Sequence, residues 1–278
     1  MFLAGTARMN SRMATSALFG IASIVLQAAP GLALTPAYEA CKKGVGLVMS
    51  GDNKGAVKSF DDAIKLNPKY ARAYGLRGGA YDAIGDYAKA IKDCNTAIEM
   101  NPKLVLAYVN RSWAYNGLSQ FDKAIQDCDT AIKLDDKAAI AYSNKSHALN
   151  RLGKHDEAIT NANKAIEIDP NWALAYVNRA HALIAKKDYK KAVEDCNRAI
   201  QENPKQASAY ANRSHAYRHL GDYKKALQDA NKSISLNPRL APAYYMRGRT
   251  YEDLAKADLA RAKKMGFTSS DDKLPEKK

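Results

Sequence analysis

Residues 173–206 read ALAYVNRAHALIAKKDYKKAVEDCNRAIQENPKQ. Tyr176, Ala180 and Leu183 are four and three residues apart, the spacing of one helical face. After Lys187-Asp188 a second run places Ala192 and Ala199 seven apart, again on one face. Pro204 then excludes continuation of that helix. The stretch predicts two short helices, large-small-large on the first and alanine-faced on the second, that pack closely against each other.

The same text recurs in both directions. Pro68, Pro102, Pro170, Pro204 and Pro238 fall on one 34-residue register, with Asp136 in the slot missing from the series. Units begin at Ala37, Ala71, Val105, Ala139, Ala173 and Ala207, and a degenerate seventh begins at Ala241. Column four of the units is Ala40, Tyr74, Tyr108, Tyr142, Tyr176, Tyr210 and Tyr244, and column eight is always Gly, Ser or Ala. Gly51, Gly85, Gly153 and Gly221 stand where the first helix must stop. One helix pair leaves an apolar flank open, so neighbouring pairs must stack. These columns resemble those of the tetratricopeptide-repeat family, over about residues 35–267. The resemblance implies an all-α, right-handed superhelical solenoid of antiparallel helix pairs. It also implies a concave groove lined by each unit's first helix, and a binding scaffold rather than an enzyme. Unit one and the polar stretch from Lys256 to Lys264 are expected to cap the stack, and residues 268–278 to form a disordered polar tail.

Several columns carry candidate function. Column seven (Lys43, Arg77, Arg111, Lys145, Arg179, Arg213, Arg247) covaries with column twenty-three (Ser59, Asp93, Asp127, Asn161, Asp195, Asp229). This predicts an ion pair between the two helices of a unit, with pairing across a unit boundary as the alternative. Column six reads Asn110, Asn144, Asn178 and Asn212. The family resemblance turns this column toward the groove. An amide offers a donor and an acceptor, so four in succession are expected to grip an extended peptide backbone, as in an asparagine ladder. Column nine, three residues on, offers pockets on the same face: Trp113, His147, His181, His215 and Arg249. Trp113 is the expected hot spot, and the histidines are candidate pH sensors. His215 and His219 have metal-pair spacing without an evident third ligand, and no metal or cofactor is expected. His155 takes a slot otherwise held by Tyr or Phe and is expected to pack. Cys94, Cys128 and Cys196 share one packing column, too widely spaced for a bridge. Cys41 is expected near the groove as a free thiol. The lysines with which some members of the family clamp a terminal carboxylate are missing from column five.

Composition narrows the function classes. The net charge is 43 − 29 = +14, with 46% hydrophobic and 26% charged residues, which excludes general disorder. Arg8 and Arg12 precede a charge-free apolar stretch, Met13–Ala29, and Gly31 and Ala33 suit a cut after Ala33. Residues 1–33 therefore read as a secretory signal peptide, with an uncleaved anchor as the alternative, and export to the periplasm or medium is expected. Removing Arg8 and Arg12 leaves +12. The function expected is capture of a protein or peptide in the groove. The alternative is electrostatic binding to an acidic envelope polymer or anionic membrane surface. Nucleic acid is not expected, and no nucleophile elbow, phosphate loop or metalloprotease helix appears.

Overall fold

The computed structural model describes residues 35–267. The expectations placed on residues 1–33 and 268–278 fall outside them. The described residues form thirteen α-helices in six antiparallel pairs and one extra. The pairs are α1 (Pro36–Ser50) with α2 (Asn53–Leu66), α3 (Ala71–Ala83) with α4 (Tyr87–Met100), and α5 (Val105–Gly117) with α6 (Phe121–Leu134). They continue as α7 (Ala139–Arg151) with α8 (His155–Ile168), α9 (Ala173–Ala185) with α10 (Tyr189–Glu202), and α11 (Ala207–His219) with α12 (Tyr223–Leu236). The last helix is α13 (Ala241–Lys264). None of the described helices is long and apolar enough to cross a membrane.

Local chemistry sets each boundary. Column fifteen is left-handed in every pair: Gly51, Gly85, Gly153 and Gly221 have φ of 77–89°, and Ser119 and Lys187 adopt φ of 59° and 65°. The turn is thus imposed even where glycine, which takes this conformation without strain, is absent. Asp52, Asp86, Asp188 and Asp222 cap the second helices, each carboxylate accepting from the backbone N–H three residues on. At the far end, the hydroxyls of Tyr108, Tyr176, Tyr210 and Tyr244 donate to the carbonyls of Pro102, Pro170, Pro204 and Pro238. In these four units the tyrosine and proline columns therefore form one device that pins the unit to the preceding turn.

Within a pair, the small residue of column eight meets column twenty-four. A Cβ on Gly44 would lie 2.6 Å from the Phe60 ring, and one on Gly78 would lie 2.7 Å from Cys94 Sγ. Cys94, Cys128 and Cys196 are fully buried free thiols in this contact. Cys41 is also buried, in the first unit's core with Val45, Val48 and Phe60. It does not face the groove, and burial pushes its thiol up to about 12, so the expectation of an available thiol is corrected.

Between pairs, each second helix packs on the following first helix, and successive first helices also touch one another. Successive second helices make no comparable contact. The stack must then curve with the first helices on its inner wall. The last unit has a first helix but no second helix among the described residues. Ala255 occupies the slot of the turn residue, so α13 runs on for 24 residues. It leaves Tyr244, Tyr245, Tyr251 and Leu259 exposed.

Candidate functional site: the inner wall

The arginine column is structural, and both pairings foreseen for it occur at once. Arg77, Arg111, Arg179 and Arg213 each make a two-pronged bond through Nε and Nη2 to the aspartate of their own second helix, at 2.6–2.8 Å. The remaining Nη1 donates across the boundary to column twenty-five of the preceding unit: Asp61, Asn95, Asn163 and Asn197. Lys145 faces Asn161, not an aspartate, at column twenty-three of its own unit, and its bond runs backward, to Asp129 at 2.6 Å. The guanidinium groups also lie against the column-four tyrosines, 5.5–5.6 Å from the ring centres in these four units. Hydrogen bonding to Asp93 raises the Arg77 pKa further, which holds the charge permanently.

The asparagine row is placed differently from the expectation. Each Nδ2 donates to a first-helix carbonyl 35 residues back. Asn110 reaches Gly75 at 2.9 Å, Asn144 reaches Val109 at 3.4 Å, Asn178 reaches Ser143 at 3.0 Å and Asn212 reaches Val177 at 3.2 Å. Asn110, Asn144 and Asn178 are buried. Asn144 and Asn178 also donate to the hydroxyls of Ser112 and Ser143. The donors expected to grip a peptide therefore tie one layer to the next. Column twelve completes the joint from the other side, since Asn116 donates to the Asn144 carbonyl at 3.2 Å and Asn150 to that of Asn178 at 2.7 Å. Sequence reasoning missed this second row. Its signal was polar residues, Asp82, Asn116 and Asn150, at a buried position on successive first helices.

Column nine divides. Trp113 is buried against Trp172, Leu174 and Ala175, so it is core rather than an open hot spot. Its ring lies 6.1 Å from His147. Burial, followed by the nearby Arg151 charge, holds the half-buried His147 down at about 4. His215 is shifted the same way by burial and by the neighbouring His219. His181 keeps solvent access and is also lowered, by desolvation first and the charges of His155 and Arg151 next. Desolvation thus moves all three rings below their ordinary value, away from the near-neutral titration expected of them. Arg249 pairs with Glu252 on α13 at 2.6 Å. His155 packs 6.4 Å from His181, with Nδ1 3.3 Å from Asn150 Oδ1. His215 and His219 lie 5.1 Å apart, and the Tyr189 ring stacks on His219 at 4.5 Å. No group of three or more metal-ligating side chains forms among the described residues.

The inner wall also carries a cavity of about 390 Å³, at the N-terminal ends of α5, α7 and α9. Its apolar walls are Leu104, Leu106, Val109, Ile140 and Trp172. Arg72, Lys103 and Lys137 also line it, together with Asp135 and Asp169. Both aspartates already accept from backbone N–H groups of their own turns, at 3.0 Å. The Trp172 indole Nε1 is buried without a hydrogen-bond partner. The cavity was legible in part, because column thirty-four holds Tyr70, Leu104 and Trp172 just outside the helical runs.

Tetratricopeptide repeat profiles match residues 71–104 and 173–206, 207–240, and 105–137 and 139–171. The chain belongs to the tetratricopeptide-repeat family. Comparison with curated proteins finds no match. Among solved structures, this repeat protein resembles the anaphase-promoting complex hetero-tetramer Cut9–Hcn1 (TM-score 0.69, 16% identity), covering 85% of this chain and 46% of that one. It spans just under half of that neighbour's length. TTC0263, a protein of this family from Thermus thermophilus, aligns with TM-score 0.59 at 18% identity over 65% of this chain and 98% of its own. PilW, a type IV pilus biogenesis factor, aligns with TM-score 0.61 at 18% identity over 75% and 97%. These likenesses show the fold. Repeats of this kind make the chain a scaffold for protein–protein interaction.

Proposed function

We propose that the scaffold captures an extended peptide or partner tail along its inner wall, with an apolar side chain seated in the cavity at α5, α7 and α9. The observation that carries this is the cavity itself: about 390 Å³, walled by aliphatic groups and one indole. The unpaired Trp172 N–H supports a peptide carbonyl as the polar contact, because a buried donor without a partner costs about 1–3 kcal/mol. Lys103 and Lys137 are exposed at the rim and favour a tail with a carboxylate nearby. The asparagine rows hold the wall rigid, so affinity rests on the cavity. Exposed lysines near the second-helix caps are partly neutralised, with Lys89, Lys191 and Lys225 paired to Asp86, Asp188 and Asp222. This favours capture in the hollow over binding to an acidic surface. Residues 8–33 support export, which would be read from a mature N-terminus at Leu34.

The test is selection from a displayed library of random nonapeptides on the purified chain. The selected peptides are expected to share one large apolar residue and to lose binding at least tenfold to Ile140→Glu, with helicity unchanged. Equal affinity for the wild type and Ile140→Glu would remove the cavity from the binding mode.

A further inference from the structure

Unit seven is a first helix without its second. In units two to six, the face carrying columns four, eight and eleven is covered by that unit's own second helix. On α13 the same face is bare. Tyr176 and Tyr210 are 8% and 9% exposed, whereas Tyr244 and Tyr251 are 43% and 54% exposed. A Cβ on Gly248 would meet nothing within 4 Å, although the equivalent Gly78 is in tight contact with Cys94. Arg247 is also left incomplete. It makes the backward bond to Asn231 at 3.0 Å and lies over Tyr244. Its Nε and Nη2, which in four other units hold a carboxylate in two prongs, have no acceptor among the described residues.

The repeat defines what would complete this face. Unit two has the same Tyr, Arg, Gly and Tyr at columns four, seven, eight and eleven: Tyr74, Arg77, Gly78 and Tyr81. Its covering helix α4 presents Ala90, Asp93, Cys94 and Ala97, a flat small-residue face with one carboxylate. The second helices of this chain are all engaged between first helices on both sides, so a second copy has none to lend. The described chain offers no such helix beyond α13 either.

We propose that the bare face of α13 is a docking surface for an amphipathic helix of a partner protein. That helix carries two alanines seven residues apart, with an aspartate three residues after the first, and adds itself as the missing second helix of unit seven. The aspartate takes the two free prongs of Arg247, and its alanine face lies across Gly248 between Tyr244 and Tyr251. This surface is separate from the cavity at α5, α7 and α9, so either assignment stands without the other.

The probe is the chain's own residues 86–101, appended after Lys278 of the full-length protein through a flexible Gly-Ser linker. At the millimolar effective concentration of a short linker, docking is expected to slow hydrogen exchange of the α13 amides between Tyr244 and Tyr251 about tenfold. Asp→Ala at the position of Asp93 in the appended copy only, or Gly248→Phe in α13, should return exchange to that of the unextended chain. Gly248→Phe points into open space, so helicity measured alongside should not change. Protection that persists in both variants, or no protection from the intact appended helix, overturns the proposal. So does a concentration-dependent dimer of the unextended chain that Gly248→Phe abolishes, because a second copy would then occupy the face.

Discussion

Asp82 stands where the structure calls for an amide. In column twelve, Asn116 and Asn150 each donate to the backbone carbonyl of the next unit's column-six asparagine. The acceptor offered to position 82 by the same register is the carbonyl of Asn110, and an ionised carboxylate has no proton to give it. Asp82 is buried, its Oδ1 has no partner, and burial holds its pKa well above the usual carboxylate range. A carboxyl with a raised folded pKa binds more protons in the folded than in the unfolded chain. Its contribution therefore weakens as pH rises, from about pH 4 up to the folded pKa, by up to about 1.4 kcal/mol per pH unit. Asp82→Asn removes that slope and supplies the missing donor, worth about 0.5–1.5 kcal/mol. Near pH 4 the folded Asp82 keeps its proton and can itself donate, so variant and wild type should be nearly equal there, and the variant should pull ahead as pH rises toward the folded pKa. Because stacked repeats open as coupled units rather than all at once, the assay is hydrogen exchange of the α3 and α5 amides at pH 4.5, 6 and 7.5. Thermal unfolding serves as a second measure. A variant no more stable than the wild type at pH 7.5, or a gap constant with pH, would refute the reasoning.

Other outcomes follow from the same geometry. Ser119→Gly and Lys187→Gly should each stabilise by about 0.5–1 kcal/mol, since both residues hold a left-handed φ that costs a side chain about 1–2 kcal/mol, partly offset by glycine's greater unfolded freedom. Gly85→Ala should do the reverse, and urea titration would rank all three. Arg111→Lys should lose the two-pronged bond to Asp127 or the bond to Asn95, lowering stability by about 1–2 kcal/mol. Replacing Asp127 with Asn in the same chain should recover part of that loss if the introduced lysine needs only one partner, as Lys145 does. His147 is neutral when folded, with a pKa near 4, and protonates near 6.5 when unfolded. Its contribution is complete above that upper value and is lost as pH falls toward the lower one. The melting temperature should drop between pH 6.5 and 4.5, and His147→Phe should make that decline shallower.

Much of the architecture was legible because each unit repeats one local problem. Tyrosine, small residue, alanine and proline columns are matters of helical face and chain direction, and both are encoded within 34 residues. The covariation of Arg with Asp likewise exposed a pair 16 residues apart. The asparagines were assigned to the wrong surface. Periodicity places Asn144 on a face of its own helix, but the carbonyl of Val109 that claims its N–H belongs to the previous layer. The same holds for Trp113, whose neighbours Trp172 and Leu174 come from the end of the next unit and the start of the one after.

The sequence alone determined the repeat, its helix pairs, the turns at column fifteen and the family, because local sterics and side-chain period decide these one unit at a time. Only the stacked structure decided which polar groups remain available. Whether an amide, a histidine or an arginine faces solvent depends on atoms brought beside it by the neighbouring layer. For that reason the cavity beside Trp172 and the bare face of α13, rather than the asparagine row, are where this scaffold leaves apolar surface uncovered.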